Sequence, residues 1–171
     1  RLPGGDAAVK EPRRTAFALL YEMFGESIIE RADLAPVRAF TPAERKTLAQ
    51  MLSKGINSPV TTSAGRLFDG IAALIGLHQQ VSFEGQAAMA LEYAADATIL
   101  DSYLIAIKTE DERRKTEARQ SVIGRPSSVI LDWYPLLDAV LADLSRGIER
   151  GIIAARFHNA LVQAIVEVAK Q

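Results

Sequence analysis

Cysteine is missing from all 171 positions of this chain, which excludes disulfides, thiolate-held zinc, iron–sulfur ligation and cysteine nucleophiles. The matching expectation is a reducing, cytoplasmic home. Histidine occurs only at His78 and His158, too far apart for a zinc-protease pair. Neither sign of charge prevails, with 20 basic against 21 acidic residues. No long-range field therefore draws the chain to nucleic acid or to an anionic membrane. Apolar runs are interrupted by charge or glycine before the roughly 20 residues that span a bilayer, and no basic-then-apolar leader opens the chain. The expected protein is soluble and has neither a nucleic-acid nor a membrane partner.

What is present is enough for a core. The chain is 49% hydrophobic, and at this length roughly 70% of the unfolded surface can be buried. With no solenoid-length repeat and no low-complexity linker, residues 1–171 are expected to form a single helical subdomain. Arg1 is not a methionine, and Val168-Ala169-Lys170-Gln171 stops within a helical pattern. Both ends read as cuts in a longer polypeptide.

The periodicities predict mainly helix. Glu11-Pro12 places proline in a first turn, Ala16, Leu19, Leu20, Met23 and Phe24 follow at helical spacing, and Gly25 is the stop. Thr41-Pro42-Ala43-Glu44 has the residues of a capping box, and the helix it opens should close near Lys54-Gly55. From Arg66 to Leu77 an apolar face of Leu67, Phe68, Ile71, Leu74 and Ile75 predicts the most deeply buried helix. Residues 86–97 favour helix by their Ala, Met and Leu content. Asp132 can cap a helix through Leu144, and another helix should run from Gly151 to Lys170. Tyr103–Ile107 and Val129–Leu131 predict a small hairpin around the charged stretch from Lys108 to Arg119. The mixed signs of Asp111-Glu112-Arg113-Arg114-Lys115 make that connection a solvated one without function. The predicted fold is an irregular orthogonal bundle of about six helices with one hairpin.

No self-contained catalytic motif stands out, so no residue is assigned a catalytic or metal-ligating role. The binding candidates are Asp69, a carboxylate at the edge of an apolar helix, and Gly85, where a helix mouth without a side chain could admit a polar ligand. Asp69 has a competing explanation in an i,i+3 pair with Arg66 on an exposed helix, worth a few tenths of a kcal/mol. His158 is either a proton carrier or ligand, or a histidine hydrogen-bonded where the last helix meets a neighbour. His78 reads as an exposed loop residue.

Four blocks, taken together, resemble the HypF family of [NiFe]-hydrogenase maturation carbamoyltransferases. They are Leu2-Pro3-Gly4-Gly5-Asp6-Ala7-Ala8 with Glu11-Pro12; Thr62-Ser63-Ala64-Gly65-Arg66-Leu67-Phe68-Asp69; Phe83-Glu84-Gly85-Gln86-Ala87-Ala88; and Ala154-Ala155-Arg156-Phe157-His158-Asn159-Ala160-Leu161. The likeness runs from residue 2 to about residue 170. It implies the helical part of a C-terminal domain similar to TsaD, within the actin-like ATPase superfamily. The family joins that domain to acylphosphatase, zinc-finger and YrdC-like domains.

The resemblance implies an intact enzyme that uses ATP and carbamoyl phosphate to form a carbamoyl-adenylate. The carbamoyl group would pass to the C-terminal cysteine of HypE, the acceptor protein, and end as cyanide ligands of the hydrogenase iron. The TsaD-like pattern Gly-x-x-Phe-Asp falls on Gly65, Phe68 and Asp69, and the glycine turn of the next helix on Gly85. Asp69 and Gly85 are thereby the nucleotide-binding candidates, flanked by Ser63, Gly65 and Glu84, with Arg66 and His158 as supporting or structural residues. The histidine-rich metal motif and the Ser-Gly-Gly turn of the family are absent from residues 1–171. The metal ion and zinc would come from other segments, and this piece alone should be inactive. Two alternatives are a helical protein-interaction module, including self-association through an exposed face, and a small-molecule O-carbamoyltransferase.

Overall fold

A computed structural model of the chain describes residues 1–109 and 129–170. It is mainly helical, with a single two-stranded sheet among the described residues. The chain divides into two compact units, Arg1–Ala94 and Ala95–Gln171.

The first unit is entirely helical. A short α1 (Ala7–Lys10) precedes α2 (Pro12–Phe24), α3 (Ala35–Arg38), α4 (Pro42–Lys54), α5 (Ala64–Leu74) and α6 (Gln86–Ala94). Pro12 opens α2 as expected, its missing N–H falling where no intrahelical partner exists. Gly25, at φ 58°, ends α2, but the chain winds on through a 3-10 segment, Gly25–Glu30. Thr41 and Glu44 form the full capping box of α4, and Gly55 closes that helix in the left-handed conformation. Arg45 of α4 donates to the carbonyl oxygens of Val37, Phe40 and Ile29, so one guanidinium satisfies chain ends from two preceding segments.

Helix α2 is the spine of this unit, burying Ala16, Phe17, Ala18 and Leu20. Phe17 meets the edge of Phe40 at 5.9 Å, and the Arg13 guanidinium lies 4.2 Å from the Phe40 ring centre. The Pro3-Gly4-Gly5 turn is not a loose end. The amides of Leu2 and Gly4 donate to the carbonyls of Pro59 and Asn57, both at 2.8 Å.

Helix α5 packs against α2, and Gly70 sets how closely. A Cβ there would stand 2.7 Å from Leu19 Cδ1, 3.5 Å from Thr15 Cγ2 and 3.7 Å from the Ala16 amide nitrogen. Helix α6 covers α5 through Ala87 and Leu91.

In the second unit β1 (Ala106–Thr109) pairs antiparallel with β2 (Val129–Asp132), Ala106 opposite Asp132 and Thr109 opposite Val129. Helices α7 (Tyr134–Ser145) and α8 (Arg150–Ala169) follow. Asp132 serves both elements: one carboxylate oxygen accepts from the Tyr134 amide at 3.0 Å, the other from Lys108 at 2.5 Å. The core is Leu136, Leu137 and Val140 of α7 with Ile153, Ala154, Phe157 and Ala160 of α8. Tyr103, expected in a strand, lies in irregular chain ahead of β1 and is held by a buried polar knot. Asp143 accepts from the Tyr103 hydroxyl at 2.8 Å and from Arg156 at 2.7 Å, and Asn159 donates to the carbonyls of Ile99 and Asp101. Burial, then the Asp143 carboxylate, push the Tyr103 hydroxyl well above its ordinary value.

Several expectations need correction. The six longer helices are those read from the sequence, but two four-residue helices, α1 and α3, add to them. Helix α5 stops at Leu74, where Gly76 takes a positive φ of 79°. Helix α6 stops at Ala94 because Asp96 turns back on its own chain, accepting from the Thr98 amide and hydroxyl. His78 is half-buried rather than exposed. Helix α8 is long and apolar enough to cross a bilayer, with a mean hydropathy of 1.3. Its inner side nevertheless packs within this unit. Beyond Thr109 the charged connection falls outside the described residues.

Gly70→Val should cost about 2 kcal/mol by overpacking against α2, whereas Gly70→Ala, which displaces only the tip of Leu19, should stay within about 1 kcal/mol of the parent. Urea unfolding measures both, and a Val variant as stable as the parent would contradict the close approach. Asp143→Ala strands a buried hydroxyl and a guanidinium and should cost about 3 kcal/mol. Thr41→Ala, losing one exposed cap, should cost about 1 kcal/mol. The reverse order in the same assay would mean the knot is not a structural tie.

Candidate functional site

Helix α5 and the turn ahead of α6 bring the candidates of the first unit together. Ser63 precedes α5 without a side-chain cap bond, and its amide donates to Thr61 Oγ1 at 3.1 Å. Ser63 and Gly65 are exposed. One turn on, the surface changes character: Arg66 is 9% and Asp69 only 3% exposed, while Leu67 and Phe68 are half-buried. The side of α5 opposite the expected apolar face thus buries a charged pair that was read as lying at an exposed edge, because α2 and α6 also pack on α5.

Arg66 Nη1 lies 2.8 Å from Asp69 Oδ2, and Nη2 lies 3.5 Å from Glu84 Oε1. The i,i+3 pair read from the sequence therefore exists, though buried rather than on an exposed helix. Its alignment is poor: Arg66 Nη1 and Asp69 Oδ2 are both sealed from solvent without a hydrogen bond. The contact is an ionic approach between two atoms sealed from solvent. Burial pushes the Asp69 carboxyl up to about 6; the Arg66 guanidinium pulls it down and Glu84 pushes it further up, and burial prevails.

Glu84 is 79% exposed on its side chain, so its contact with Arg66 crosses from solvent into the core. Gly85 follows at φ 86°, and no heavy atom beyond its own chain neighbours lies within 4 Å of where its Cβ would be. An L side chain would be strained in that conformation and would fill the open space. The Gly85 carbonyl accepts from the Met89 amide, and Gln86 Oε1 accepts from the Ser82 amide at 2.7 Å. These bonds fix the turn from which Glu84 and Gly85 project.

The structure thus joins Asp69, Arg66, Glu84 and, through the chain, Gly85. Ser63 and Gly65 stand at the open end of the same helix. His158 belongs to the other unit, where its Nδ1 lies 2.8 Å from the Ala154 carbonyl oxygen and its ring meets Phe157 edge-on at 5.6 Å. Both contacts lie within α8 itself. Sequence reasoning missed the Arg66–Glu84 contact, whose partners lie in separate elements. It also missed Thr15, whose buried hydroxyl oxygen lacks a hydrogen bond in the α2 face against Gly70. Periodicity gives no signal for either.

Known proteins resemble the chain along its whole length. Residues 1–171 match the family described as "Carbamoyltransferase, Kae1-like Domain, second subdomain". The carbamoyltransferase HypF of Synechocystis sp. is 33% identical over 99% of this chain and 22% of its own length. The carbamoyltransferase HypF2 of Cupriavidus necator is 35% identical over 96% of this chain and 20% of its own. A crystal structure of full-length HypF in a phosphate- and nucleotide-bound form superposes with a TM-score of 0.79 at 30% identity, covering 99% of this chain and 19% of that one. The chain spans about a fifth of the length of these relatives. Sequence match and fold agree that the chain belongs to the HypF carbamoyltransferase family, as the second subdomain of its Kae1-like domain.

Proposed function

We propose that this subdomain forms one wall of the adenine-nucleotide cleft of a cytoplasmic HypF carbamoyltransferase, with Asp69 accepting hydrogen bonds from nucleotide hydroxyls. The observation that carries the reading is the buried Asp69 carboxylate, its Oδ2 facing Arg66 Nη1 at 2.8 Å, beside the turn of Glu84 and Gly85. Arg66 and Glu84 tie it to Gly85, which leaves open space on the same turn. A carboxylate, an acceptor through both oxygens, suits a vicinal diol, and a glycine beside it lets a flat or bulky group approach. The HypF relative of the same fold, solved in a phosphate- and nucleotide-bound form, supports nucleotide use by the intact protein.

In the intact enzyme ATP would supply activation of the carbamoyl group derived from carbamoyl phosphate, as a carbamoyl-adenylate. The carbamoyl group would move to the C-terminal cysteine sulfur of HypE, the thiol giving up its proton and AMP leaving with the electron pair of the broken C–O bond. The residues of this chain bind and orient; charge neutralisation at the phosphates, the metal ion and the zinc fall to other segments. Positioning of this kind acts chiefly on the nucleotide KM.

A second reading rests on α8, where Val162, Ile165 and Val166 keep 58%, 64% and 45% of their surface exposed. An apolar stripe of this kind is what a protein partner or a second copy would cover. Sedimentation of the 171-residue chain tests self-association: a monomer at high micromolar concentration would remove that version.

In the full-length enzyme, Asp69→Ala should raise the KM for ATP by about tenfold to a hundredfold, as expected for loss of a hydrogen bond to a charged group. Because the carboxyl titrates at about 6 and its ionised form is the better acceptor, nucleotide affinity should fall as pH drops through 6. Unchanged ATP-dependent carbamoylation of HypE by Asp69→Ala would defeat the proposal.

A further inference from the structure

Building on the nucleotide reading, we infer that Arg66 is a positioning residue that holds the Asp69 carboxylate ionised and couples it to the turn before α6 through Glu84. Arg66 reaches two carboxylates from different segments, at 2.8 Å and 3.5 Å, one almost wholly buried and the other largely in solvent. A buried ion pair is a poor source of stability, since the desolvation of both charges offsets their attraction and an apolar pair of similar volume often does as well. This pair is weaker still, because its closest atoms are not aligned for a hydrogen bond. What the guanidinium does supply is a fixed positive charge against a carboxylate that burial drives toward its neutral form.

Glu84 acts in the opposite sense. It is a like charge for Asp69 and a competing partner for Arg66, so each approach of Glu84 to the guanidinium draws charge compensation away from Asp69. The turn carrying Gly85 is thereby linked to the protonation of the buried acid. Among the described residues, Arg66 and Glu84 are the charged groups that act on the Asp69 carboxyl. Helix α2 presents Thr15 and Leu19 beside Gly70, and α6 buries Ala87 and Leu91. Arg38 of α3 donates instead to the carbonyls of Ala32 and Asp33.

The test is the pH profile of the ATP KM in the full-length enzyme. An opposite charge within contact distance moves a carboxyl by roughly one to three units. Arg66→Met should therefore shift the acid limb upward from about 6 by about one to three units, raising KM at pH 7 about twofold for a one-unit shift and about tenfold for a two-unit shift, with recovery at higher pH. Arg66→Lys, keeping the charge, should restore most of the shift. Glu84→Gln should move the limb the other way, to lower pH by a fraction of a unit to about one unit. A purely structural Arg66 would lower the active fraction without moving the limb. Should Arg66→Met fail to fold, the exposed Glu84→Gln variant still decides the matter by the direction of its shift. If Asp69→Ala impairs ATP binding while both limbs stay put, the coupling is wrong and the nucleotide reading survives. If Asp69→Ala leaves the KM unchanged, the nucleotide reading falls.

Discussion

The site depends on the burial of one charged pair. Gly70 lets α2 approach α5 at side-chain-free distance, α6 covers the adjoining face, and between them Arg66 and Asp69 are taken out of water. In that environment the carboxylate is costly to ionise and valuable once ionised, because an acceptor in a low-dielectric wall acts more strongly than one in solvent. For stability alone an apolar pair of similar volume often serves as well, and that makes this face the candidate site of the first unit.

The second unit uses the same device for another end. Tyr103 and Arg156 converge on Asp143, and Asn159 takes up two backbone carbonyls of the preceding irregular segment. These four contacts are well-formed hydrogen bonds of 2.7 to 2.9 Å, the arrangement of a structural tie. The contrast with the misaligned Arg66–Asp69 contact separates a hydrogen-bonded network from an ionic approach.

The fold was legible wherever its determinants are local. The Thr41 capping box, Pro12 at a first turn and the β-branched runs around residues 106 and 130 each specify their element within a few residues. Boundaries failed where a side chain competed with the helix, as Asp96 does after Ala94. The candidate site was legible in part. Asp69, Gly85 and Glu84 came from motif order, but periodicity assigns Arg66 and Asp69 to a solvent edge, since it treats charge as outward. Only the packing of α2 and α6 reveals that both are inside. Pairs distant along the chain, such as Arg66 with Glu84 or Tyr103 with Asp143, leave no trace in spacing.

The chain belongs to the HypF family and spans about a fifth of the length of the relatives it matches. The account then reduces to one geometric claim about where a nucleotide meets α5. The most direct measurement is a crystal structure of the full-length enzyme with a non-hydrolysable ATP analogue. The account predicts a sugar hydroxyl within hydrogen-bond distance of the Asp69 carboxylate and the nucleoside passing over Gly85. An analogue bound with no contact to α5 or to the turn at Glu84 and Gly85 would contradict it.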